Sequence, residues 1–427
     1  MSNSKVRLSQ CMIVKNEEKN IETALGWAKS HAFEQIIVDT GSTDRTVEIA
    51  KNIGAKIFHF KWINDFAAAK NYAIKQATGD WIAFLDADEY LSEDDARKLM
   101  ELLDKLDSDS NNQKKYLGIV TPWVNVDDNG KPMTIAKQSR VFRNKPDIRY
   151  QGSIHESLSI DGSKYYYADD IDIIHTGYSQ SSHMETGKSE RNKELLREEL
   201  KKNPDDISLK AYLANSLSTE TNEESQKEAE LLFTEVLESK EKIFTIHKIK
   251  AYIFFINKLL GQQDLIRECE DICRKALSEF PQSLDFEYFL AVTLSRKGDC
   301  DEAWDHFKNC ERNLIKNSNH DDSIMIPADP TVLFGQMIIT AKKRDDIENI
   351  VLYSTHLLTI DKTRISVLAP CIATLLTYGV TEAETIELLS NIYDLKNQDD
   401  VKFVAAAAAQ CGATAFADNI LMFLEDR

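Results

Sequence analysis

Residues Trp81–Tyr90 read WIAFLDADEY, an apolar run that passes directly into three acidic residues. A short apolar run of this kind is typical of a buried strand in a parallel sheet. Asp86 and Asp88 stand two residues apart, so on an extended chain their carboxylates would share one face. Like charges held close need a counter-cation or raised pKa values, and carboxylate oxygens are preferred ligands of Mg²⁺ and Mn²⁺. The stretch therefore predicts a buried strand that ends at a metal site, with a solvated acidic loop as the plain alternative.

Strand and helix patterns alternate in the chain before this stretch. The apolar runs lie in residues 9–18, 33–44 and 55–60, and the segments with helical spacing in 20–31, 45–54 and 64–79. Asp44 is expected to cap the second helix and Gly54 to end it. The alternation predicts an α/β fold with parallel strands, and ligands of such sheets bind beyond the carboxyl ends of the strands. Asn16, Asp39 and Asp86 all follow predicted strands at that end.

After about residue 185 the strand patterns disappear, and the chain reads as one amphipathic helix after another. Residues 203–238 and 280–314 each have the pattern of a helix pair. Tyr212, Tyr252 and Tyr288 recur at intervals close to the roughly 34-residue period of tetratricopeptide (TPR) repeats. The last hundred or so residues fit this period poorly. The pattern predicts a degenerate helical solenoid.

The length of 427 residues is too great for one ordinary domain. We expect an α/β domain at residues 1–185 and an all-α repeat domain at 186–427. The net charge of −18 argues against a nucleic-acid partner, which would require a basic surface. No run approaches the roughly 20 apolar residues of a membrane span, and the N-terminus has no signal-peptide core. A cytoplasmic protein without stable membrane insertion is expected.

Four segments together resemble the nucleotide-sugar-binding half of the family 2 glycosyltransferases, which have the GT-A fold. They are CMIVKNEEKNI at 11–21, IIVDTGSTDRT at 36–46, NDFAAAKNYAI at 64–74 and GDWIAFLDADE at 79–89. The resemblance covers about residues 6–180. Two further segments, GSIHE at 152–156 and HTGY at 175–178, are followed by helical repeats. This combination is similar to the peptide S-glycosyltransferases of glycocins and to lipopolysaccharide-core β-glucosyltransferase-like proteins.

The resemblance implies a UDP-sugar donor and a set of residues that bind it. That set is Val14, Asn16, Glu17, Asp39, Lys70, Asp86, Arg140 and Arg143. The first three would line the nucleoside pocket, and Asp39 would accept a hydrogen bond from a uracil N–H. Lys70 would lie near the base or the diphosphate; relatives often have arginine there, so a bidentate contact is not expected. Plain alternatives are that Asn16 caps the next helix and that Asp39 merely closes a turn.

The resemblance also implies a divalent metal, Mn or Mg, bound by Asp88 together with Asp86 and His175. The metal would offset the charge on the departing UDP. Inverting transfer further needs a base on the acceptor side of the site. Glu156 is the predicted base, with His155 orienting it or touching the donor. The alternatives are a structural turn for this pair and a packed strand-end residue for His175.

Two later segments are less specific. Arg140 and Arg143 form a basic cluster in an acidic chain, so they could hold the diphosphate or order a loop, or they could simply be solvated. Trp123 could stack on a sugar, although burial is the more common outcome for tryptophan. Residues 104–115 are polar and are expected to form a flexible loop.

The sequence is therefore predicted to encode an inverting, metal-dependent enzyme that moves one sugar from a UDP-sugar to a peptide or protein. The acceptor would be a Cys or Ser/Thr side chain, and the helical repeats would hold it or form a homodimer. One alternative is a cell-envelope saccharide acceptor. Another is a non-catalytic scaffold with a relic α/β half. A nucleotidyltransferase is disfavoured, because the segment VKNEE after the first strand has no phosphate-binding glycines.

Overall fold

In a computed structural model, residues 6–176, 188–241, 243–316 and 322–424 are described. The chain divides into two compact units, Met1–Leu209 and Lys210–Arg427. The predicted boundary near residue 185 lies outside the described residues, so the domain limits remain a prediction. Among the described helices, none combines the length and the apolar character that crossing a bilayer requires.

The described part of the first unit is built around a nine-stranded sheet, with a separate short strand pair. The strands are β1 Leu8–Val14, β2 Glu34–Asp39, β3 Lys56–His59, β4 Trp81–Phe84, β5 Glu89–Leu91, β6 Gly118–Val126, β7 Pro132–Arg143, β8 Tyr150–Gln151, β9 Ser157–Leu158, β10 Tyr165–Tyr167 and β11 Ile173–His175. The sheet order is β3-β2-β1-β4-β7-β6-β11-β5, and β10 pairs with β6. Strands β3, β2, β1 and β4 are parallel, whereas β7 is antiparallel to β4 and β6. The predicted α/β class is confirmed, with a mixed rather than a purely parallel sheet.

Strand β4 shows why an unbroken apolar run predicts a buried strand. Trp81 and Ala83 pack on one face of the sheet, in a core that includes side chains of the helix Glu93–Ser108. Ile82 and Phe84 pack on the opposite face, against the helix Phe66–Gln76. All four residues of the strand are buried, because helices cover both faces.

The first three helices of the first unit lie in the segments where the spacing predicted them, and two other predictions need correction. They are α1 Ile21–Gly26, α2 Thr46–Ile53, α3 Phe66–Gln76, α4 Glu93–Ser108 and α5 Ser110–Lys115, followed by Lys188–Lys202. Gly54 ends α2 with a left-handed φ of 103°, as predicted. The Asp44 prediction is wrong by one position: Arg45 is the N-cap residue, and Asp44 accepts the Thr46 N–H from just outside the helix. The loop predicted at residues 104–115 is also wrong, because the segment is helical and buries Leu106.

A buried carboxylate joins several strands at the edge of the sheet where the parallel strands begin. Glu34 accepts hydrogen bonds from the Ser9 hydroxyl at 2.8 Å, the Lys56 ammonium at 2.6 Å and the Thr78 N–H at 2.6 Å. Burial alone would raise the pKa of Glu34, but these hydrogen bonds outweigh it and lower the pKa to about 2. Glu34 therefore links β1, β2, β3 and the turn before β4.

Changing Glu34 to glutamine is expected to lower the free energy of unfolding at pH 7 by about 3 kcal/mol, because the folded state favours the ionised carboxylate. Since the folded pKa lies below the ordinary value of 4.5, this stabilisation is complete above pH 4.5 and is lost as the pH falls towards 2. Urea unfolding at pH 7 and pH 3 should show a smaller difference between variant and wild type at pH 3. Glu48→Gln, on an exposed helix face, is the control. An equal loss at both pH values would contradict this account.

From residue 207 onward the described elements are helical, which confirms the predicted all-α region. The α-helices are Ile207–Ser218, Glu223–Glu238, Thr245–Leu260, Ile266–Glu279, Leu284–Lys297, Cys300–Lys316, Met325–Ala328, Thr331–Lys343, Ile347–Ile360, Ile365–Thr377, Glu382–Ser390, Gln398–Gln410 and Thr414–Leu421. Many neighbours in sequence pack on one another, as in a helical repeat array. Tyr252 and Tyr288 lie in the shared core, and Gly298 ends its helix with a φ of 106°.

Candidate active site

Several of the predicted site residues end or follow strands that finish at one edge of the sheet. Val14, the last residue of β1, is in register with Asp39, the last residue of β2. Asp86 follows β4, which runs parallel to β1. On the other side of β7, His175 ends β11 in register with Asn125 of β6. The carboxyl ends of these parallel strands therefore form one rim, the usual ligand-binding edge of an α/β sheet.

At the β1–β2 end of this rim, two loops are tied together by hydrogen bonds. The Asn16 N–H donates to the Ser42 hydroxyl at 3.0 Å, and the Asn16 side-chain oxygen accepts the Thr43 N–H at 2.8 Å. Asn16 has a left-handed φ of 57°, a conformation that asparagine tolerates better than most residues. Asn16 thus links the loops and does not cap α1, for which the N-cap residue is Asn20. Next to it, Glu17 donates its N–H to the Thr46 hydroxyl at 2.7 Å.

Asp39 closes the turn that follows β2, as its plain alternative predicted. Its carboxylate accepts the Ser42 N–H at 2.9 Å and the Gly41 N–H at 3.3 Å, and His59 Nδ1 lies 3.3 Å away. Burial alone would raise the pKa of Asp39, but the hydrogen bonds from Ser42, His59 and Gly41 outweigh it and lower that pKa. A buried, ionised carboxylate therefore stands beside the Asn16 loop.

Five charged side chains form a cluster at the end of β4. The Lys70 ammonium lies 2.7 Å from the Glu156 carboxylate and 3.3 Å from that of Asp86. The Arg140 guanidinium lies 2.8 Å from Asp86 and also pairs with Glu89. The cluster thus brings together four motifs that are far apart in sequence. Three carboxylates face two cations, and Asp86 contacts both cations.

The pKa directions follow from burial and from these ion pairs. Burial alone would raise the pKa of Asp86, but Lys70 and Arg140 outweigh it and hold that pKa well below its usual range. Burial would lower the pKa of Lys70, but Asp86 and Glu156 raise it instead. Glu89 differs, because burial raises the pKa of its carboxyl more than Arg140 lowers it. Asp86, Lys70 and Arg140 are therefore all charged at neutral pH.

Glu89 was given no role from the sequence, yet it links the two parts of the site. It is fully buried, and it accepts the Asp86 N–H at 3.0 Å and the Trp123 indole N–H at 2.8 Å. It also pairs with Arg140, which holds Asp86 from the other side. Its position directly after the acidic motif was visible in the sequence. The partners of Glu89 could not be predicted from the sequence, because these contacts depend on the pairing of β5 with β11.

Asp88 and His175 form the second part of the site. Asp88 Oδ2 lies 3.4 Å from His175 Nε2. The other ring nitrogen of His175 lies 2.7 Å from the Asn125 side-chain oxygen, and the Asn125 amide nitrogen donates to Thr134 Oγ1 at 2.8 Å. This arrangement makes Nδ1 the donor and leaves Nε2 towards Asp88. Trp123 stacks on the His175 ring at 4.2 Å, so it contacts the imidazole directly.

The residues at this point fit a divalent cation. His175 Nε2 and the Asp88 carboxylate face each other at 3.4 Å, and both atom types are ligands of divalent cations. Among the described residues, no group of three or more His, Cys, Asp or Glu side chains could hold a metal ion. Mg²⁺ often binds through one or two protein carboxylates and takes its remaining ligands from substrate phosphates and water. Asp88 and His175 suit such an ion, whereas Asp86, the third predicted ligand, is held by two cations.

The loop of residues 150–156, which carries the predicted base, is fastened to α3. The Asn71 side chain makes two hydrogen bonds with the backbone of Tyr150. It accepts the Tyr150 N–H and donates to the Tyr150 carbonyl, each at 2.9 Å. The Phe66 N–H donates to the Ser153 carbonyl at 2.8 Å. Asn71 follows Lys70 in the motif, and its role was not foreseen. The loop and α3 are thus held in fixed register, which accounts for the short distance between Glu156 and Lys70.

Two left-handed residues shape the same loop. Gly152 has a φ of 92°, where a side chain would be strained, and His155 has a φ of 52°. His155 is exposed, whereas Glu156 is only 14% exposed at its side chain. The chain therefore turns at His155 and directs Glu156 into the charged cluster.

Arg143 is not brought to the site. It pairs with Trp81 at the start of β4, whereas Asp86 follows the other end of that strand. Its guanidinium stacks on the Trp81 ring at 4.4 Å and bonds the Asp107 carboxylate at 2.7 Å and the Tyr116 carbonyl at 3.0 Å. Arg143 therefore ties β7 to the region after α4 and is occupied by structural contacts.

A comparison with known families agrees with this geometry. Residues 9–151 match the family described as "Glycosyl transferase family 2". The matched residues include Asp86, Asp88 and four of the five charged side chains of the cluster, whereas Glu156 and His175 follow the matched segment. The predicted order of an α/β domain followed by an all-α region is confirmed.

The chain is similar to several individual proteins. It is 34% identical over 221 residues to a TPR repeat-containing protein of Synechococcus elongatus, covering 49% of this chain and 51% of that protein. It is 26% identical over 289 residues to the SPbeta prophage-derived glycosyltransferase SunS of Bacillus subtilis, covering 66% of this chain and 65% of that protein. The chain thus spans about half to two thirds of the length of these curated relatives.

Solved structures show a more distant likeness. The S. aureus TarS 1–349 structure in complex with UDP-GlcNAc is 15% identical, with a TM-score of 0.32, covering 68% of this chain and 89% of that one. A Mycobacterium tuberculosis glucosyl-3-phosphoglycerate synthase with Mn²⁺ and UDP-glucose is 19% identical, with a TM-score of 0.24, covering 28% of this chain and 44% of that one.

Proposed function

We propose that this chain is a glycosyltransferase that moves one sugar from a UDP-sugar to a side chain of a peptide or protein, with inversion at C1. One observation carries the proposal: a chain whose residues 9–151 match the family 2 glycosyl transferases holds three carboxylates around the Lys70 and Arg140 cations at its ligand-binding rim. A relic domain in a scaffold protein would have no need to keep this charged cluster.

The nucleoside of the donor would bind at the β1–β2 end of the rim. Val14, Asn16 and Glu17 would line one side of the pocket, and Asp39 would accept the uracil N–H. Asp86 would face the ribose, with Lys70 and Arg140 close to the diphosphate. This assignment uses the loops that the Asn16 hydrogen bonds hold together, so the pocket is largely formed before the donor arrives.

A divalent cation, Mn²⁺ or Mg²⁺, would be held by Asp88 and His175. When bound, it would supply positive charge to the leaving diphosphate. Asn125 fixes the His175 tautomer for this purpose, and Trp123 keeps the ring in place. Asp86, which is held by two cations, is left out of the metal ligand set.

Glu156 would act as the base. The acceptor oxygen or sulfur attacks C1 as the bond between C1 and the phosphate oxygen breaks, and the bonding electrons leave with UDP. The acceptor proton passes to a Glu156 carboxylate oxygen. Lys70, at 2.7 Å, holds the Glu156 carboxylate in place within the cluster. His155 would turn the loop and need not touch the reacting atoms.

Support for a peptide or protein acceptor comes from the helical region and from the likeness to the glycosyltransferase SunS. Arrays of packed helices provide extended binding surfaces for other chains. A saccharide of the cell envelope is the alternative acceptor. Mass spectrometry of cysteine- and serine-containing peptides after incubation with the donor would separate these cases. Alkylating the cysteines first would abolish transfer to sulfur and leave transfer to oxygen.

The proposal is tested by titrating the full chain with UDP and GDP, each with and without Mn²⁺, in a calorimeter. We expect UDP to bind more tightly than GDP, and Mn²⁺ to strengthen UDP binding. Arg143→Lys, which changes a cation outside the site, should bind UDP like the wild type. Absence of any nucleotide affinity would favour the scaffold alternative.

A further inference from the structure

Tyr150 lies beside the charged cluster, and its hydroxyl takes no part in the donor and acceptor contacts proposed for the site. Its ring is 5.4 Å from that of Phe84 and 5.9 Å from that of Phe142, edge to face in both contacts. The Lys70 ammonium lies 5.1 Å from the Tyr150 ring centroid. Tyr150 is 6% exposed, and Asn71 clamps its backbone on both sides. The position of the ring, and hence of the hydroxyl, is therefore fixed by packing.

Two buried polar atoms at this place have no hydrogen-bond partner among the described residues. They are the Tyr150 hydroxyl oxygen and Nε of Arg140. Most buried polar groups in folded proteins are paired, and each exception calls for an explanation. Both belong to rigidly held side chains of the site, since Arg140 is fixed by Asp86 and Glu89. The unmet hydrogen bonds point to a polar ligand.

The kind of ligand follows from the charges. Burial raises the pKa of Tyr150 despite the opposing effect of Lys70 and Arg140, so the hydroxyl keeps its proton and can donate. Arg140 Nε is also a donor, and Lys70 adds a third donor group. The nearby carboxylates of Asp86 and Glu156 already pair with the two cations. A group that accepts several hydrogen bonds and carries negative charge suits this set, as phosphate oxygens do.

We propose that the Tyr150 hydroxyl and Arg140 Nε donate hydrogen bonds to a phosphate oxygen of the donor's diphosphate. This inference rests on the proposed function, since it assumes a nucleoside diphosphate donor. Tyr150 is then a residue that binds the UDP-sugar. Its ring packs in the hydrophobic core, and its hydroxyl contacts the ligand.

The test is Tyr150→Phe, which removes only the hydroxyl. Because that hydroxyl has no partner among the residues that the structure describes, the melting temperature without nucleotide should stay the same or rise. Titration with UDP and Mn²⁺ should show a dissociation constant roughly tenfold higher than that of the wild type, as expected for a lost hydrogen bond to a charged group. Affinity for uridine, which has no phosphate, should be unchanged.

Tyr252→Phe is the matched control. This buried tyrosine lies in the helical region, and its hydroxyl donates to Glu279 at 3.0 Å. Its removal should lower the melting temperature and leave UDP affinity unchanged, the reverse of the effect at Tyr150.

Three results would overturn the inference. If Tyr150→Phe binds UDP as tightly as the wild type, the hydroxyl does not contact the phosphate, while the proposed function stands. A marked fall in melting temperature without nucleotide would show that the hydroxyl has a structural partner. If the wild type itself binds no UDP, the proposed function fails and this inference fails with it.

Discussion

Changing Glu156 to glutamine is expected to lower kcat for sugar transfer by roughly 10²- to 10⁴-fold, the usual contribution of a general base. Glutamine keeps an oxygen that can accept from Lys70, so the loop should stay in place, but it cannot take up the acceptor proton. The measurement is the rate of product formation at saturating donor and acceptor. UDP affinity, measured by calorimetry, should change little, because the base acts in the chemical step.

Glu48→Gln serves as the control for this substitution, since Glu48 pairs with Arg45 on an exposed part of α2. Its kcat should equal that of the wild type. Should Glu156→Gln retain wild-type kcat, another residue must accept the proton, and the assignment of Glu156 would be wrong.

Changing Asp88 to asparagine is expected to reduce turnover by a factor on the order of 10² to 10⁴, because a metal contributes several kcal/mol to stabilising charge in the transition state. The structural reason is the position of Asp88 opposite His175, where the two are the proposed protein ligands. A second readout does not depend on catalysis. In the wild type Mn²⁺ should strengthen UDP binding, and in Asp88→Asn this gain should disappear.

Asp94→Asn is the matched control, because Asp94 lies on the exposed first turn of α4 and contacts only surface side chains in its ion pairs. Full turnover in Asp88→Asn, or an undiminished effect of Mn²⁺ on UDP affinity, would contradict the metal assignment.

The sequence predicted those features that depend on a few neighbouring residues. The apolar run at Trp81–Phe84 gave a buried strand, because a strand covered on both faces needs apolar residues at every position. Gly54 ended α2, because a left-handed residue there favours glycine. The change from alternating strands and helices to helices alone was equally visible in the pattern. The loop prediction for residues 104–115 was wrong, because a polar segment can still be helical. Here Asp109 caps the short helix Ser110–Lys115.

The site was harder to predict, because its contacts join distant segments. Asp86 and Asp88 do not share a face: a turn follows β4, and the Glu89 N–H bonds the Asp86 carbonyl. The turn sends Asp86 towards Lys70 and Arg140, and Asp88 towards His175. No spacing rule for an extended strand could show this separation.

The alternation of side chains along a strand also predicts that Arg140 and Arg143 cannot both reach the site. They are three residues apart in β7, so their side chains point to opposite faces of the sheet. Only one of them could therefore join the cluster. Which one did so depended on the register of β7 with β4, and this register places Arg143 beside Trp81.

We propose that this chain cleaves a UDP-sugar at the charged rim of its first unit. The most direct measurement is to incubate the purified chain with a panel of UDP- and GDP-sugars, with Mn²⁺ or Mg²⁺ and without acceptor, and to quantify free nucleoside diphosphate. We predict slow, metal-dependent release of UDP from a UDP-sugar, and no such release by Asp88→Asn. No release from any donor, together with no rise in melting temperature on adding UDP, would contradict the account.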